Sequence, residues 1–389
     1  MKPVSEKTLS CFVPLIIVSV VLLGAVSLRA AESGNTTSSG FMVFLNRPCS
    51  QISVIIPVYR GGQPFYRCLE SVAAFGPIAC EVIVVIDGED AASAEIARAF
   101  DVRVIQMPAN AGPAKARNVG ARAASGEILY FLDADVALGF QTLNQIQIAF
   151  EDRKLDALIG SYDDAPGAPN FLSQYKNLLH HYTHQCGHQR ATTFWGACGA
   201  IRRSVFEAVG GFDERYRTPS IEDIELGYRL SAQGYRIELH KQVQVKHLKR
   251  WGIRSLLKAD FLYRAVPWTK LIWRDRNFVN DLNLDTNSRL SVVSVYLMIG
   301  LILIAPWWNS LIIPAIGFGG LLLILNASVY RFFWQKRSLG FAIKVVPWHW
   351  LYYAYSGIAF LLGTLQYWTH KPAPAFPTIK FMSVSQRDR

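Results

Sequence analysis

From Ile52 onward, short β-rich apolar runs alternate with helix-like stretches, a rhythm that few architectures accommodate. The runs ISVIIPVY, EVIVVID, VRVIQM, EILYFLDAD and ALIGSY are rich in the β-branched and aromatic residues that suit a pleated, buried surface. The stretches between them, near residues 64–75, 91–100, 112–124 and 140–150, have helical apolar spacing. Such alternation builds right-handed βαβ units on a mainly parallel sheet buried on both faces. The predicted fold class is therefore α/β, Rossmann-like, over residues 51–250. Ligands of such sheets bind beyond the carboxyl ends of the strands, so the residues that follow each run are where chemistry is expected.

EILYFLDAD delivers Asp133 and Asp135 from the end of a hydrophobic strand. Packing gains nothing from acids there, whereas Mg²⁺ or Mn²⁺ prefers oxygen ligands and can bridge a diphosphate. Solvated loop acids also produce D-x-D triplets, but the tip of the fourth strand favours the metal. Asp87 closes the second run, where it can accept from a base or ribose, or serve as a turn or N-cap aspartate. In NAGPAKARNVGARAASG, Gly112, Lys115, Arg117 and Asn118 open a helix, where N–H groups and a guanidinium suit phosphate oxygens. No G-x-G-x-x-G follows the first run, which argues against a dinucleotide dehydrogenase.

Taken together, IIPVYR, the aspartate of VVIDG, AKARNVGARAASGE, LDAD, GACGAIRRSVFEAVGGFDE and IEDIELGYRL stand in an order that resembles the inverting family 2 glycosyltransferases over residues 52–247. VIDGED stands where that family usually has D-D-G-S, a departure that leaves Asp87 in place. The resemblance implies a GT-A fold, a nucleotide-sugar donor and Mn²⁺ or Mg²⁺. It implies donor contacts from Pro57, Asp87, Lys115, Arg117 and Asp133, with Asp87 on the nucleobase and Arg117 near base or diphosphate. It gives the metal to Asp133 and Asp135. His247, ending the apparent strand QVQVKH, either completes that set or is a structural histidine. Glu222 and Asp223 match the family's E-D pair, whose second member is the base; the plainer alternative is helix N-terminal acids complementing the dipole. Trp195, Gly196, Gly199, Glu222, Arg250 and Trp251 fall on the acceptor side. Independently of the resemblance, inverting transfer needs a carboxylate to take the acceptor hydroxyl's proton, and a metal stabilises the departing diphosphate.

The flanks read differently. Hydrophobic residues make up 51% of the chain and charged residues only 18%, which suggests membrane segments fused to a globular domain. Phe12 to Leu28 is uncharged and about long enough to cross a bilayer, with a poor cleavage site after it, so residues 1–30 are predicted to be an uncleaved anchor. Residues 31–50 form a polar linker. Leu290–Ala305, Leu311–Leu325 and Leu351–Trp368 are three further apolar candidates within 286–370, the first two joined by a Pro306–Ser310 hairpin, and residues 371–389 are a polar tail. Between them, residues 251–285 alternate apolar side chains with Arg254, Lys258, Arg264, Lys270, Arg274 and Arg276, the pattern of basic amphipathic helices on anionic lipid. The run HHYTHQCGH carries His180, His181, His184 and His188 at helical spacing and reads as an amphipathic helix at a surface ahead of a second metal site. Six scattered cysteines without a C-x-x-C pair fit neither a zinc ribbon nor a disulfide scaffold and are expected to be idle thiols in a reducing compartment.

A net charge of +11 without a Lys/Arg run or nucleic-acid motif points to an anionic membrane surface or phosphate-bearing substrate, not nucleic acid. The predicted function is a metal-dependent inverting glycosyltransferase acting on a membrane-associated, lipid or lipid-linked acceptor. Its localisation is predicted to be the inner membrane, multi-pass, with the catalytic domain cytoplasmic. Lys2 and Lys7 favour a cytoplasmic N-terminus, which pulls against that topology, while Arg29, Arg47 and the cations after Leu325 support it. Two rivals remain: a processive polysaccharide synthase, echoed by His247-x-x-Arg250-Trp251, and a non-catalytic sugar-nucleotide-binding membrane protein.

Overall fold

The computed structural model describes residues 52–75, 81–276 and 285–369. The predicted anchor and linker, Lys2, Lys7, Arg29, Arg47, three of the cysteines (Cys11, Cys49 and Cys80) and the tail lie outside the described residues.

Each predicted run is a strand. β1 (Ile52–Val58) leads through α1 (Gly62–Phe75) to β2 (Glu81–Ile86), then α2 (Ala91–Arg98), β3 (Arg103–Gln106), α3 (Pro113–Ala123), β4 (Ile128–Leu132) and the short β5 (Val136–Leu138). There follow α4 (Thr142–Ala149), β6 (Ala157–Tyr162), α5 (Phe171–Cys186), β7 (Arg190–Ala191), β8 (Cys198–Arg202), α6 (Arg203–Ala208), α7 (Glu222–Ala232) and β9 (Ile237–His247). Among the described residues the sheet runs β3-β2-β1-β4-β8-β6-β9-β5, with β7 on β9.

The sheet is mixed, which corrects the mainly parallel expectation. β1, β2, β3 and β4 pair in parallel, but β8 is antiparallel to both neighbours, β4 and β6, while β5 and β7 run antiparallel to β9. The inserted β8 comes from CGAIR, too short and glycine-bearing to stand out as a strand on its own. Alternation along β1 and β4 divides the core into two layers. Val54, Ile56, Tyr130 and Leu132 face α1, whereas Ile55, Leu129 and Phe131 face α3 and an aromatic cluster of Phe194, Phe206 and Phe212. The parallel half directs the ends of β1, β2 and β4, and with them Pro57, Asp87 and Asp133, to one edge of the sheet.

After β9 come α8 (Ile253–Lys258), a π-helical segment (Ala259–Ala265) and α9 (Val266–Asp275), then α10 (Thr286–Ile304), α11 (Ile312–Leu325), α12 (Ala327–Lys336) and α13 (Leu339–Thr369). α10 and α11 form an antiparallel hairpin: Asn326 past the end of α11 bonds Ser291 near the start of α10, at 3.0 Å, and receives the Tyr353 hydroxyl of α13 at 2.7 Å. Among the described residues α10 alone is long and apolar enough to cross a membrane, while α11 and α12 qualify only as a pair bent by 58°. The hairpin tip carries exposed Trp307 and Trp308. α13 behaves differently from the span expected over Leu351–Trp368. It lies along the catalytic unit, with Phe341 against Phe171, Tyr355 bonded to Asp260, Thr364 to Trp273 and Gln366 to Lys270.

Candidate active site

A cleft of about 830 Å³ opens at the carboxyl edge of the parallel strands. Pro57, Asp87, Arg117, Asp133, Asp135, Trp195, Glu222, Asp223, His247, Arg250 and Trp251 all line it. Three of the expected residues do not. Lys115 lies exposed on α3 beside a separate shallow pocket with Glu214 and Arg217. Gly199 is buried in β8, where a Cβ would strike the Trp195 carbonyl oxygen and the Phe194 ring, so its role is packing. Gly196 stands behind the wall, its N–H donating to Asp223 Oδ2 at 3.0 Å.

Asp87 is held by the turn it faces. Oδ1 accepts the Ala111 N–H at 2.7 Å, and Oδ2 accepts the Gly112 N–H at 2.9 Å and Asn110 Nδ2 at 3.0 Å. Gly112 adopts φ +94 there, in the left-handed region, and a Cβ would collide with the Arg217 backbone. Of the two sequence alternatives for Asp87, the structure shows the turn aspartate, and the turn it clamps forms part of the cleft wall.

Arg117 does not project free into the cleft as a phosphate ligand. Its Nη2 donates to Asp133 Oδ1 at 2.8 Å and its Nη1 to Glu222 Oε1 at 2.9 Å, and its guanidinium stacks over Phe212. Burial works against its charge, but Asp133, Glu222 and Asp223 outweigh burial and hold it ionised. Glu222 is fully engaged, since Oε2 also accepts the Ser220 N–H at 2.9 Å. It is therefore a buried anchor that fixes the start of α7, and the acceptor-side reading fails for its carboxylate oxygens.

Asp223, one residue on, faces the cleft. It accepts the Gly196 N–H and, through Oδ1, the Ile224 N–H at 2.8 Å. Burial first, then the neighbouring Glu222 charge, push its carboxyl up to about 6, against the lowering pull of Gly196 and Arg117. A carboxylate that titrates near neutrality is suited to accept and return a proton.

Asp133 and Asp135 are each about one-third exposed to the cleft, at 34% and 29%. Burial raises the Asp133 carboxyl, with Arg117 opposing and Asp135 adding to the rise. His247 Nε2 lies 3.8 Å from Asp135 Oδ2, and Lys249 Nζ lies 3.7 Å from the same oxygen. Asn177 donates its amide to the Asp163 carbonyl, which leaves Oδ1 facing His247 Nδ1 at 3.0 Å. That partner places the proton on Nδ1 and an Nε2 lone pair toward Asp135. Burial also drives the His247 imidazole down to about 4, keeping it neutral. Two acceptors that face each other want a cation between them, so Asp135, His247 and the unoccupied lone pairs of Asp133 fit a divalent metal in donor type. No group of three such side chains converges tightly enough among the described residues to hold one unaided.

Tyr162 stacks on His247 at 4.4 Å and Trp195 meets Tyr162 edge-on at 4.7 Å, forming an aromatic wall. The histidine run resolves as structural: His181 and His184 use Nδ1 to reach the Tyr162 and Gly160 carbonyls, at 2.7 and 2.9 Å, and tie α5 to β6. Trp251 Nε1 and His180 Nδ1 are buried and without partners. Lys176, Asp260 and Arg264 also line the cleft, and none was picked out as a site residue from sequence. The signal was present for Asp260, an acid within an otherwise cationic amphipathic stretch. The π-helical turn then shifts the helical phase and brings Arg264 round to the cleft, which a 3.6-residue period cannot foresee.

The description "Glycosyl transferase family 2" matches residues 53–210, and "N-terminal domain of galactosyltransferase" matches residues 178–251. The validoxylamine A glucosyltransferase of Streptomyces hygroscopicus subsp. limoneus is 27% identical over 241 residues, 52% of this chain and 51% of that protein. The pre-mycofactocin glycosyltransferase of Mycobacterium tuberculosis is 28% identical over 224 residues, 54% of this chain and 46% of that protein. The chain spans about half or less of the length of such curated relatives. Among solved structures, the mannosyltransferase PcManGT from Pyrobaculum calidifontis, in complex with GDP-Man and Mn²⁺, is 16% identical with a TM-score of 0.45, covering 85% of this chain and 93% of that one. Residues 53–210 thus match a glycosyl transferase family 2 domain, and the curated proteins that the chain resembles over about half its length are named glycosyltransferases.

Proposed function

We propose that this chain transfers a sugar, with inversion, from a nucleotide-sugar donor to a hydroxyl of a membrane-associated acceptor, lipid or lipid-linked. The observation that carries the reading is Asp223, a cleft-lining carboxyl pushed up to about 6, in the same cleft as the Asp133–Asp135 pair. In a single displacement the acceptor oxygen forms the new bond to the anomeric carbon. The bond from that carbon to the diphosphate oxygen breaks, and the nucleoside diphosphate leaves with the electron pair. Asp223 takes the acceptor's proton as its oxygen attacks. Its acceptance of the Gly196 N–H fixes the carboxylate's orientation and leaves lone pairs for that proton.

Asp133, Asp135 and His247 would hold Mn²⁺ or Mg²⁺, which when bound stabilises the negative charge gathering on the departing diphosphate. Arg117 sets Asp133 and Glu222, the residue before the base, in one buried network, so it acts by positioning. Trp195 and Tyr162 supply an apolar wall. The membrane part of the reading draws support from the length and composition of α10 and from the tryptophans at the hairpin tip.

The direct test incubates the purified chain with Mn²⁺, membrane lipid extract and a panel of nucleotide sugars, and follows release of nucleoside diphosphate together with mass-shifted lipid. Diphosphate release without a glycosylated lipid would remove the lipid acceptor from the reading.

A further inference from the structure

The cleft holds positive charge that no carboxylate among the described residues neutralises at contact distance. Asp133 and Glu222 are taken by Arg117, and Asp260 by Lys176 and the Tyr355 hydroxyl. Arg250 and Arg264 line the same cleft, and among the described residues neither forms a hydrogen bond or ion pair with any carboxylate. Without contacting either, Arg264 helps to lower the carboxyls of Asp260, four residues before it, and of Asp223. A half-buried guanidinium left unpaired beside a reactive carboxylate is a costly arrangement unless an anion completes it.

The segment that carries Arg264 is pinned on both sides. The Tyr263 carbonyl accepts the Ser220 hydroxyl at 2.8 Å, and Ser220 in turn donates its N–H to Glu222, next to Asp223. Asp260, four residues before Arg264, joins α5 through Lys176 and α13 through Tyr355. The same π-helical turn exposes Leu262, and it continues into α9, which packs along α13 with its exposed Ile358, Leu361 and Leu365. An unpaired arginine thus stands where an apolar surface meets the catalytic cleft.

We propose that Arg264, with Arg250 at the cleft mouth, binds a phosphate on the acceptor, so that the acceptor is an amphiphile whose headgroup carries a phosphate beside the hydroxyl that is glycosylated. The inference rests on the glycosyltransferase reading above and names its acceptor class. The phosphate meets two guanidinium groups while the apolar tail follows the exposed side chains of the π-helical turn and α13.

The test uses the full chain in a neutral detergent and three probes: dodecyl phosphate, dodecanol and inorganic phosphate. Dodecyl phosphate is expected to bind at least ten times more tightly than either of the others, by the charge-assisted bonds that Arg264 supplies. Arg264→Gln and Arg250→Gln should each weaken it by on the order of tenfold, leaving dodecanol binding and Mn²⁺-dependent UDP or GDP binding unchanged. Equal dodecyl phosphate affinity in wild type and both variants overturns the proposal. Loss of UDP or GDP binding in Arg264→Gln also overturns it, because the arginine would then serve the donor diphosphate. Inorganic phosphate binding as tightly as dodecyl phosphate overturns the amphiphile and assigns the anion to a water-soluble acceptor. Failure of the wild type to bind any nucleoside diphosphate with Mn²⁺ sinks the glycosyltransferase reading itself, whatever the alkyl phosphate does.

Discussion

At the scale of single residues, Asp223 is distinguished from Glu222 by exposure and charge. Each carboxylate accepts two hydrogen bonds, but Glu222 is buried and ion-paired to Arg117, whereas Asp223 is part-exposed to the cleft and, among the described residues, faces no cation at contact distance. Asp223→Asn preserves shape and should lower kcat by about 10²–10⁴-fold with donor affinity near wild type, measured by paired turnover and nucleotide-binding titrations. The base form is lost as pH falls through about 6, so kcat/KM should show an acid limb there. The linkage runs the other way for stability. A carboxyl raised from 3.8 in the unfolded chain binds its proton more tightly when folded, so the ionised group costs stability in full above about pH 6, progressively less as pH falls from there, and nothing below 3.8. Asp223→Asn should therefore melt no lower than wild type at pH 8, with the difference narrowing toward pH 5, as followed by circular dichroism. A variant that melts much lower at pH 8 would make Asp223 a structural cap. The Asp133–Asp135 pair was legible from residue type and its place at a strand end, whereas Glu222–Asp223 stood out only through the family resemblance. Arg117's engagement was not legible, because it is shared between Asp133 and Glu222, the latter 105 residues away in sequence.

At the scale of elements, the parallel half of the sheet was legible because apolar runs and helix periods alternate locally. The antiparallel β8 was not, since its pairing is set by contacts across the sheet with β4 and β6. The loop before β8 and the helix α7 together aim Asp223. That approach depends on Gly227: a Cβ there would stand 2.2 Å from the Phe194 backbone nitrogen and 2.4 Å from the Thr193 carbonyl carbon. Those contacts are backbone and cannot swing aside. Gly227→Ala, although favourable for helix propensity, should destabilise the fold by about 1–3 kcal/mol through overpacking. It should also lower turnover by displacing Asp223 from the Gly196 N–H, and a denaturant titration beside a rate measurement reads both. Unchanged stability would show that α7 can move away from the 193–196 segment without loss.

At the scale of the whole molecule, the C-terminal helices divide into two kinds. α13 has 31 residues, yet it is fastened to the catalytic unit at Phe341, Tyr355, Thr364 and Gln366, so it lies along that unit and does not lead away from it. The hairpin α10–α11 is fastened to α13 instead, by Asn326 with Ser291 and Tyr353, by the Tyr296 hydroxyl donating to the Ala354 carbonyl at 2.6 Å and by a buried cluster of Val295, Leu322 and Tyr353, while its tip stays exposed. Hydropathy alone cannot separate these cases, because an apolar stripe facing protein and one facing lipid look alike in sequence. If the hairpin enters a bilayer, Lys336, paired with Asp164 of the catalytic unit, lies on the same side as the cleft. Cysteines engineered at Lys336 and at Arg250 should then be labelled by an impermeant reagent from one and the same face of sealed vesicles. Labelling from opposite faces would break that topology. The central claim remains the chemistry of the cleft, and the most direct measurement is nucleoside diphosphate release by wild type, Asp135→Asn and Asp223→Asn over a titration of donor, with Mn²⁺ and with excess EDTA. Wild-type release should be abolished by EDTA and restored by Mn²⁺, Asp135→Asn should bind metal and donor more weakly, and Asp223→Asn should bind donor without turning it over. Full release in EDTA, or normal turnover by Asp223→Asn at saturating donor, would contradict that claim.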